Sequence, residues 1–147
     1  MNDGPLALDP AAGDSLAYVE ALLDENELPS RDVRSKPDAF YVARRGGERV
    51  GVGGVEVHGT DGLLRSVVVE RSARGRGYGT ALCDALEAAA AAQGVGTLYL
   101  LTTTAAPFFA ARGYAEIPRT EAPATVRETT EFAELCPRSA TCLRKVL

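Results

Sequence analysis

The chain has 147 residues, 46% of them hydrophobic and 24% charged, with a formal net charge of −4. That length and balance suit one globular domain spanning residues 1–147, with a composition ordinary for a soluble chain. The acidic charge argues against a nucleic-acid binder, and no apolar run reaches the ~18 residues that a membrane span needs. The start, Met1-Asn2-Asp3-Gly4-Pro5, is neither basic nor apolar, which argues against a secretory leader and for the cytoplasm. Lysine occurs only at Lys36 and Lys145, so arginine supplies nearly all the positive charge. A GC-rich genome and a salt-adapted host explain that bias equally well. The cysteines are Cys83, Cys136 and Cys142, an odd count that favours free thiols. With His58 as the single histidine they do not match zinc-ligand spacing, so no metal is expected.

Taken in order, apolar residues from Ser15 to Leu23 recur at helical spacing, with Asp14 as an N-cap and Pro29 beyond the end. This predicts a helix over 14–26. Ala39 to Arg44 reads as a strand, Gly46-Gly47 as a turn, and Arg49 to Val57 as the partner strand. Asp61-Gly62 turns again into an apolar strand, Leu63 to Val69, which completes an antiparallel meander. A long Ala-rich helix follows from Tyr78 to Gln93, stopped by Gly94 and Gly96. Thr97 to Thr102 is a short strand. Entered through a helix, it joins the sheet beside Leu63–Val69 as a right-handed crossover and a parallel pair. Ala106 to Arg112 is a short helix with Pro107 early and Gly113 at its stop. A helical turn near Thr129 to Leu135 and a last strand from Ala140 to Val146 close the chain. The fold class is α/β, with a mixed, mostly antiparallel central sheet, one central parallel pair and flanking helices.

Between the strand ending at Val69 and the long helix lies Arg74-Gly75-Arg76-Gly77-Tyr78-Gly79-Thr80. Glycines let the backbone curl toward a ligand, and the first N–H groups of a helix lack partners within it. Strand, glycine turn and helix start therefore make an anion site. It is not a Walker loop, because no Gly-Lys-Ser/Thr follows, nor a dinucleotide fingerprint, because Thr80 stands where the third glycine should be. Other candidates follow from residue type. Glu56, with His58 two residues on, is a carboxylate on an apolar strand and reads as a base or as a solvated strand face. Arg65-Ser66 interrupts an apolar strand. Arg65 either pairs with Glu56 across the sheet or grips a substrate carboxylate with its planar fork. Thr102-Thr103-Thr104 either lines a polar pocket or caps the next helix through Thr104. Cys83, beside Leu82 and Leu86, reads as a small buried hydrophobe.

The loop at Arg74 to Gly79, the strand before it and the later Phe108-Phe109-Ala110-Ala111-Arg112-Gly113-Tyr114 together resemble the GNAT superfamily of acetyl-CoA-dependent N-acyltransferases, over about residues 39 to 115. The stretch from Leu100 to Phe109 is similar to amino-acid N-acetyltransferases. Leu64-Arg65-Ser66 and the tail pattern Phe132-x-x-Leu135-Cys136-Pro137 resemble a smaller group associated with arsenic-resistance operons. The resemblance implies acetyl-CoA as cosubstrate, its pyrophosphate on Arg74, Gly75, Arg76, Gly77, Tyr78, Gly79 and Thr80. Its pantetheine arm would lie along Val67, Val68 and Val69, between a splayed parallel pair. It further implies a backbone N–H of the Leu63–Val69 strand as oxyanion donor, and a tyrosine acid at the second aromatic position. Here that position is Phe109, so Tyr114 or Tyr78 substitutes, or the thiolate leaves unassisted. The expected catalytic residues are Glu56 and Tyr114, and the expected acceptor-binding residues are Arg65, Ser66, Thr102, Thr103 and Thr104. The expected activity is acetyl transfer to a primary amine of a small molecule, an amino acid or a related toxic compound, within a ternary complex. A homodimer is compatible with it. The rival readings are a non-catalytic acyl-CoA sensor and a protein-acetylating enzyme.

Overall fold

A computed structural model describes residues 6–147, and Met1-Asn2-Asp3-Gly4-Pro5, read above as no leader, lie outside the described residues. Seven strands form one sheet in the order β1-β2-β3-β4-β5-β7-β6: β1 Ala7–Pro10, β2 Phe40–Arg45, β3 Glu48–His58, β4 Asp61–Val69, β5 Thr97–Thr102, β6 Ala115–Ile117 and β7 Thr141–Val146. Every pairing is antiparallel except β4 with β5, so the α/β class and the single parallel pair are as expected. The meander forms around the Gly46-Gly47 and Gly59-Thr60 turns; Asp61-Gly62, expected to turn, instead opens β4, paired with His58 and Val57. The two edge strands β1 and β6 were not expected. They are four and three residues long, mostly exposed, and draw their order from a longer neighbour.

Helix α1, Asp14–Glu25, covers one face of the sheet and α2, Tyr78–Ala92, the other. Val19, Leu22 and Leu23 of α1 pack on Phe40, Val42, Val52 and Val68. Leu82, Cys83, Leu86 and Ala90 of α2 pack on Val50, Val55, Leu64, Leu98 and Leu100, which places Cys83 in the core. The α1 cap differs from expectation. Gly13 is the N-cap, without a side-chain hydrogen bond, and Asp14 is the first helical residue, its charge favourable at the positive helix end. The tail adds α4, Ala124–Arg127, and a π-helical turn, Glu131–Leu135, in place of the ordinary helical turn expected there. Ile117, Ala122, Val126 and Phe132 of this region cover Leu63, Tyr99 and Cys142.

The short helix α3, Ala106–Ala111, explains the aromatic-Gly-Tyr pattern locally. Gly113 has φ 96°, and the N–H groups of Gly113 and Tyr114 donate to the carbonyls of Ala110 and Phe109. This left-handed terminator brings the residue after the glycine back onto the helix, so Tyr114 meets Phe109 edge-on at 5.4 Å. Thr104 does not cap α3. The N-cap is Ala105, and the Thr102 hydroxyl accepts from the N–H groups of Thr104 and Ala105 at 3.3 and 2.9 Å.

Candidate active site

The parallel pair is the feature around which the site is built. β4 and β5 align only at Asp61, Gly62 and Leu63, opposite Thr97, Leu98 and Tyr99. Beyond Leu63 they part, while β5 stays paired on its other edge with β7 as far as Thr102. The β5-facing edge of β4 from Leu64 to Val69 is thus left without a strand partner. At its upper end the Glu70 N–H donates to Val50 on β3, so the Val69 carbonyl of the same peptide faces the opening. Alternation turns the N–H and C=O of Val67 and Val69 the same way.

A bulge interrupts β4 at this point. Val52 lies opposite Val68 and Gly54 opposite Arg65, so Ser66 and Val67 share one position against Gly53. Ser66 has φ 60°, a left-handed conformation that costs a non-glycine residue roughly 1–3 kcal/mol. The extra residue reverses the parity of the strand. Leu63, Arg65 and then Val68 face the α1 and tail side, while Leu64, Val67 and Val69 face α2. A cavity of about 140 Å³ at the opening is bordered by Leu64, Arg65, Ser66, Val67, Leu100 and Phe109. A second, of about 470 Å³, shares Leu28, Leu101, Thr102 and Thr104 with it. Its walls are Glu27–Arg31 after α1 and Leu135–Ala140 of the tail, with Thr103 between them. Its size is that of a small-ligand site.

Above the opening, the glycine turn delivers the start of α2. Gly75 and Gly77 have φ 82° and 78°, and nothing stands within 4 Å of where their side chains would be. Gly77 is the N-cap, and the first helical hydrogen bond runs from the Ala81 N–H to the Gly77 carbonyl. The N–H groups of Tyr78, Gly79 and Thr80 are therefore free of helix partners and lie at the positive end of the helix. Arg76 is exposed beside them, and Arg74 donates to the Val69 carbonyl at 2.9 Å and to Asn26 at 2.7 Å.

Arg65 is fully buried and gathers three carboxylates. It donates through Nη2 to Asp32 at 2.8 Å, through Nη1 to Asp32 and to Glu56 at 2.9 Å, and through Nε to the Ser66 hydroxyl at 3.0 Å; Glu131 lies 3.4 Å from the same Nε. The pairing of Arg65 with Glu56 is thus present. Lys36 Nζ stands 3.5 Å from both Asp32 and Glu56, and His58 Nε2 3.4 Å from Glu56. Burial raises the Asp32 carboxyl, but hydrogen bonds and charge from Arg65 outweigh it and hold the group below its usual range. Glu131 is pushed up to about 7, first by burial and then, against the pull of Arg65, by Glu56 and Asp32.

The expected acceptor-binding residues Arg65, Ser66, Thr102 and Thr104 come together at the smaller cavity, and Thr103 joins them at the larger. Glu56 does not line either. It lies behind Arg65 and, with His58, borders a cavity of about 390 Å³ next to Lys36 and Asp38. Tyr114 lies beneath α3, its hydroxyl donating to Glu87 at 2.9 Å, where Arg112 and Lys145 also bind that carboxylate. Burial and the Glu87 charge push the Tyr114 hydroxyl far up. Tyr78 stands under the Arg45 guanidinium, 5.0 Å from the ring centre. The residues that sequence reasoning missed are Glu27, Arg31, Asp32 and Glu131. Only the φ of 57° at Glu27 and the pairing of Asp32 and Glu131 with Arg65 mark them, and both are three-dimensional facts.

A partly opened parallel pair, a bulge at the opening and an N-terminal helix cradle above it define an acyltransferase-like α/β fold. Residues 36–116 match the family model described as acetyltransferase (GNAT) domain, more than half of the chain. The chain belongs to that family. Among solved structures it resembles N-acetylglutamate synthase from Neisseria gonorrhoeae, complexed with coenzyme A and N-acetyl-glutamate: TM-score 0.82, 22% identity, 98% of this chain and 35% of that one. This chain thus spans about a third of that synthase. It also resembles Rv2747 from Mycobacterium tuberculosis in complex with CoA and NLQ, with TM-score 0.78, 24% identity and 96% and 99% of the two chains covered. Arabidopsis thaliana Naa50, in complex with the bisubstrate analogue CoA-Ac-MVNAL, gives TM-score 0.74 at 16% identity, covering 98% and 100%. Among the described residues no group could hold a metal ion, and no helix is long and apolar enough to cross a membrane.

Proposed function

We propose that the protein transfers the acetyl group of acetyl-CoA to the primary amine of a small molecule, an amino acid or a close relative, by direct attack within a ternary complex. The observation that carries this reading is the junction of the cavity at the β4–β5 opening, beside the Ser66 bulge, with the 470 Å³ cavity through Leu28, Leu101, Thr102 and Thr104. The residues fit acetyl-CoA: three free N–H groups at a helix start suit a pyrophosphate, and an unpaired strand edge suits an extended polar arm. Tyr78, Gly79 and Thr80 would hold the pyrophosphate with Gly75 and Gly77 shaping the turn, Arg74 and Arg76 adding charge. Val67 and Val69 would pair with the pantetheine through backbone, and Val68 would anchor the strand from its buried side. Acetyl-CoA supplies a thioester, whose carbonyl oxygen needs a donor as the amine attacks; the Val67 N–H at the bulge faces the right way.

The acceptor would lie in the larger cavity. Glu27, held there in a left-handed conformation, attracts an ammonium group, and Arg31 offers its fork to a carboxylate. Thr102, Thr103 and Thr104 add hydroxyls. Glu56 serves the Arg65 cluster more directly than the acceptor. With Tyr114 donating to Glu87, the thiolate departs without a tyrosine acid. The tail and the loop after α1 enclose the cavity on two sides, which favours a small acceptor over a peptide. The test is coenzyme A release, followed with a thiol reagent, across amino acids, toxic amino-acid analogues, polyamines and short peptides. Turnover with peptides alone would move the reading to protein acetylation.

A further inference from the structure

Both walls of the acceptor cavity converge on one buried guanidinium. The loop Glu27–Arg31 runs directly into Asp32, which Arg65 holds by two hydrogen bonds. The tail wall begins at Glu131, the first residue of the π-helical turn, whose carbonyl accepts from the N–H of Cys136 at 3.0 Å. Leu135, Cys136 and Pro137 then line the cavity. The Glu131 side chain approaches the same Arg65 Nε that donates to the bulge residue Ser66. We propose that Glu131 is a positioning residue that, through Arg65, sets the tail wall of the acceptor cavity against the bulge of β4. The proposal rests on the acetyl-transfer reading for its kinetic arm only.

The charges around Glu131 decide how it acts. Asp32 faces it from the loop after α1, Glu56 from β3, Arg65 from β4, Lys36 from the turn before β2, and the Cys136 thiol from its own turn. His58 stands behind Glu56, and Lys36 donates to Thr130 at 3.1 Å. Three carboxylates share the two cations Arg65 and Lys36, one negative charge more than those cations balance when all three ionise. Glu131 is the least satisfied of the three, with only the 3.4 Å contact, and its carboxyl is the one lifted to about 7. Protonated, it sits in the cluster without repulsion. Ionised, it repels Asp32 and Glu56, and that repulsion acts on the π-helical turn that carries the tail wall. A folded pKa above the unfolded one contributes stability that is full below the unfolded value and lost as pH rises to about 7.

Glu131→Gln mimics the protonated form and cannot titrate. Acceptor KM, acetyl-CoA KM, kcat and Tm are measured for wild type and variant at about pH 6 and about pH 8.5, either side of the transition. The ratio of wild-type to variant acceptor KM is expected to rise by roughly three- to tenfold between the two pH values, within the limit that a shift of this size allows. The ratios for kcat and acetyl-CoA KM stay constant, and protonation of the amine cancels between the two proteins. The Tm of the variant exceeds that of wild type at the higher pH alone, and Glu131→Asp restores the pH dependence. Equal KM ratios at both pH values, or a Tm lowered equally at both, would overturn the proposal. If wild type acetylates no amine at all, the transfer reading fails, while the two Tm profiles still decide the role of Glu131.

Discussion

At the scale of single residues, the site separates side chains that face the opening from those that hold it in place. Tyr114 is the clearest case of the second kind, because its hydroxyl is committed to Glu87. Tyr114→Phe is expected to lower stability by about 1.5–3 kcal/mol, the worth of a hydrogen bond to a charged group, and to leave kcat within about threefold. Melting curves and steady-state kinetics check this. A large loss of kcat with an unchanged Tm would make the tyrosine the acid after all. Arg31 is of the first kind. Arg31→Ala is expected to raise KM about tenfold for an amino acid and little for its amide, since a charge-assisted contact to the carboxylate is lost. An equal rise for both acceptors would assign Arg31 to its exposed ion pair with Glu134, 2.8 Å away.

At the scale of elements, the glycine turn and the bulge do the positioning. Gly77→Ala keeps the composition of the loop but forces an L side chain to φ 78°. It is expected to cost about 1–2 kcal/mol and to weaken acetyl-CoA binding about tenfold, as read by calorimetry, with acceptor KM unchanged. Unchanged acetyl-CoA affinity would remove the turn from the cofactor site. The turn was legible in the sequence because glycine spacing encodes a left-handed backbone directly. The meander and α2 were legible because alternation and helical spacing are local patterns. The bulge was not, because nothing about serine announces a positive φ; the register of β3 against β4 imposes it. β1 and β6 were hidden for the same reason, being ordered by neighbours distant in sequence. The carboxylates around Arg65 follow the same logic. The sequence signalled that a buried arginine needs a partner, and Glu56 is one. Asp32 and Glu131 lie on segments without periodic pattern, and only the fold brings them to it.

At the scale of the whole molecule, two ion clusters tie the layers together, and the carboxylates within them set opposing pH trends. Asp32 in the Arg65 cluster and Glu87 under α3 are each raised by burial but pulled below their usual range by hydrogen bonds, from Arg65 and from Lys145 and Arg112. Their stabilisation is present above the unfolded pKa values, 3.8 and 4.5, and is lost as pH falls through the lower folded ones. Glu131 works the other way, losing stability as pH rises toward 7. The protein is therefore expected to have its highest Tm in mildly acid buffer, near pH 5 by order of magnitude, and to fall off steeply below about pH 4. A Tm that climbs steadily from pH 5 to pH 8 would contradict the assignment of the buried charges.

The proposed acetyl transfer at the opening between β4 and β5 underlies the kinetic predictions above. The most direct measurement mixes the protein with acetyl-CoA and a panel of amines and follows both free thiol and the mass of the acceptor. The prediction is thiol release that depends on a small amine, with the acceptor gaining one acetyl group on nitrogen. Acetyl-CoA binding without acetylated product from any amine would contradict it.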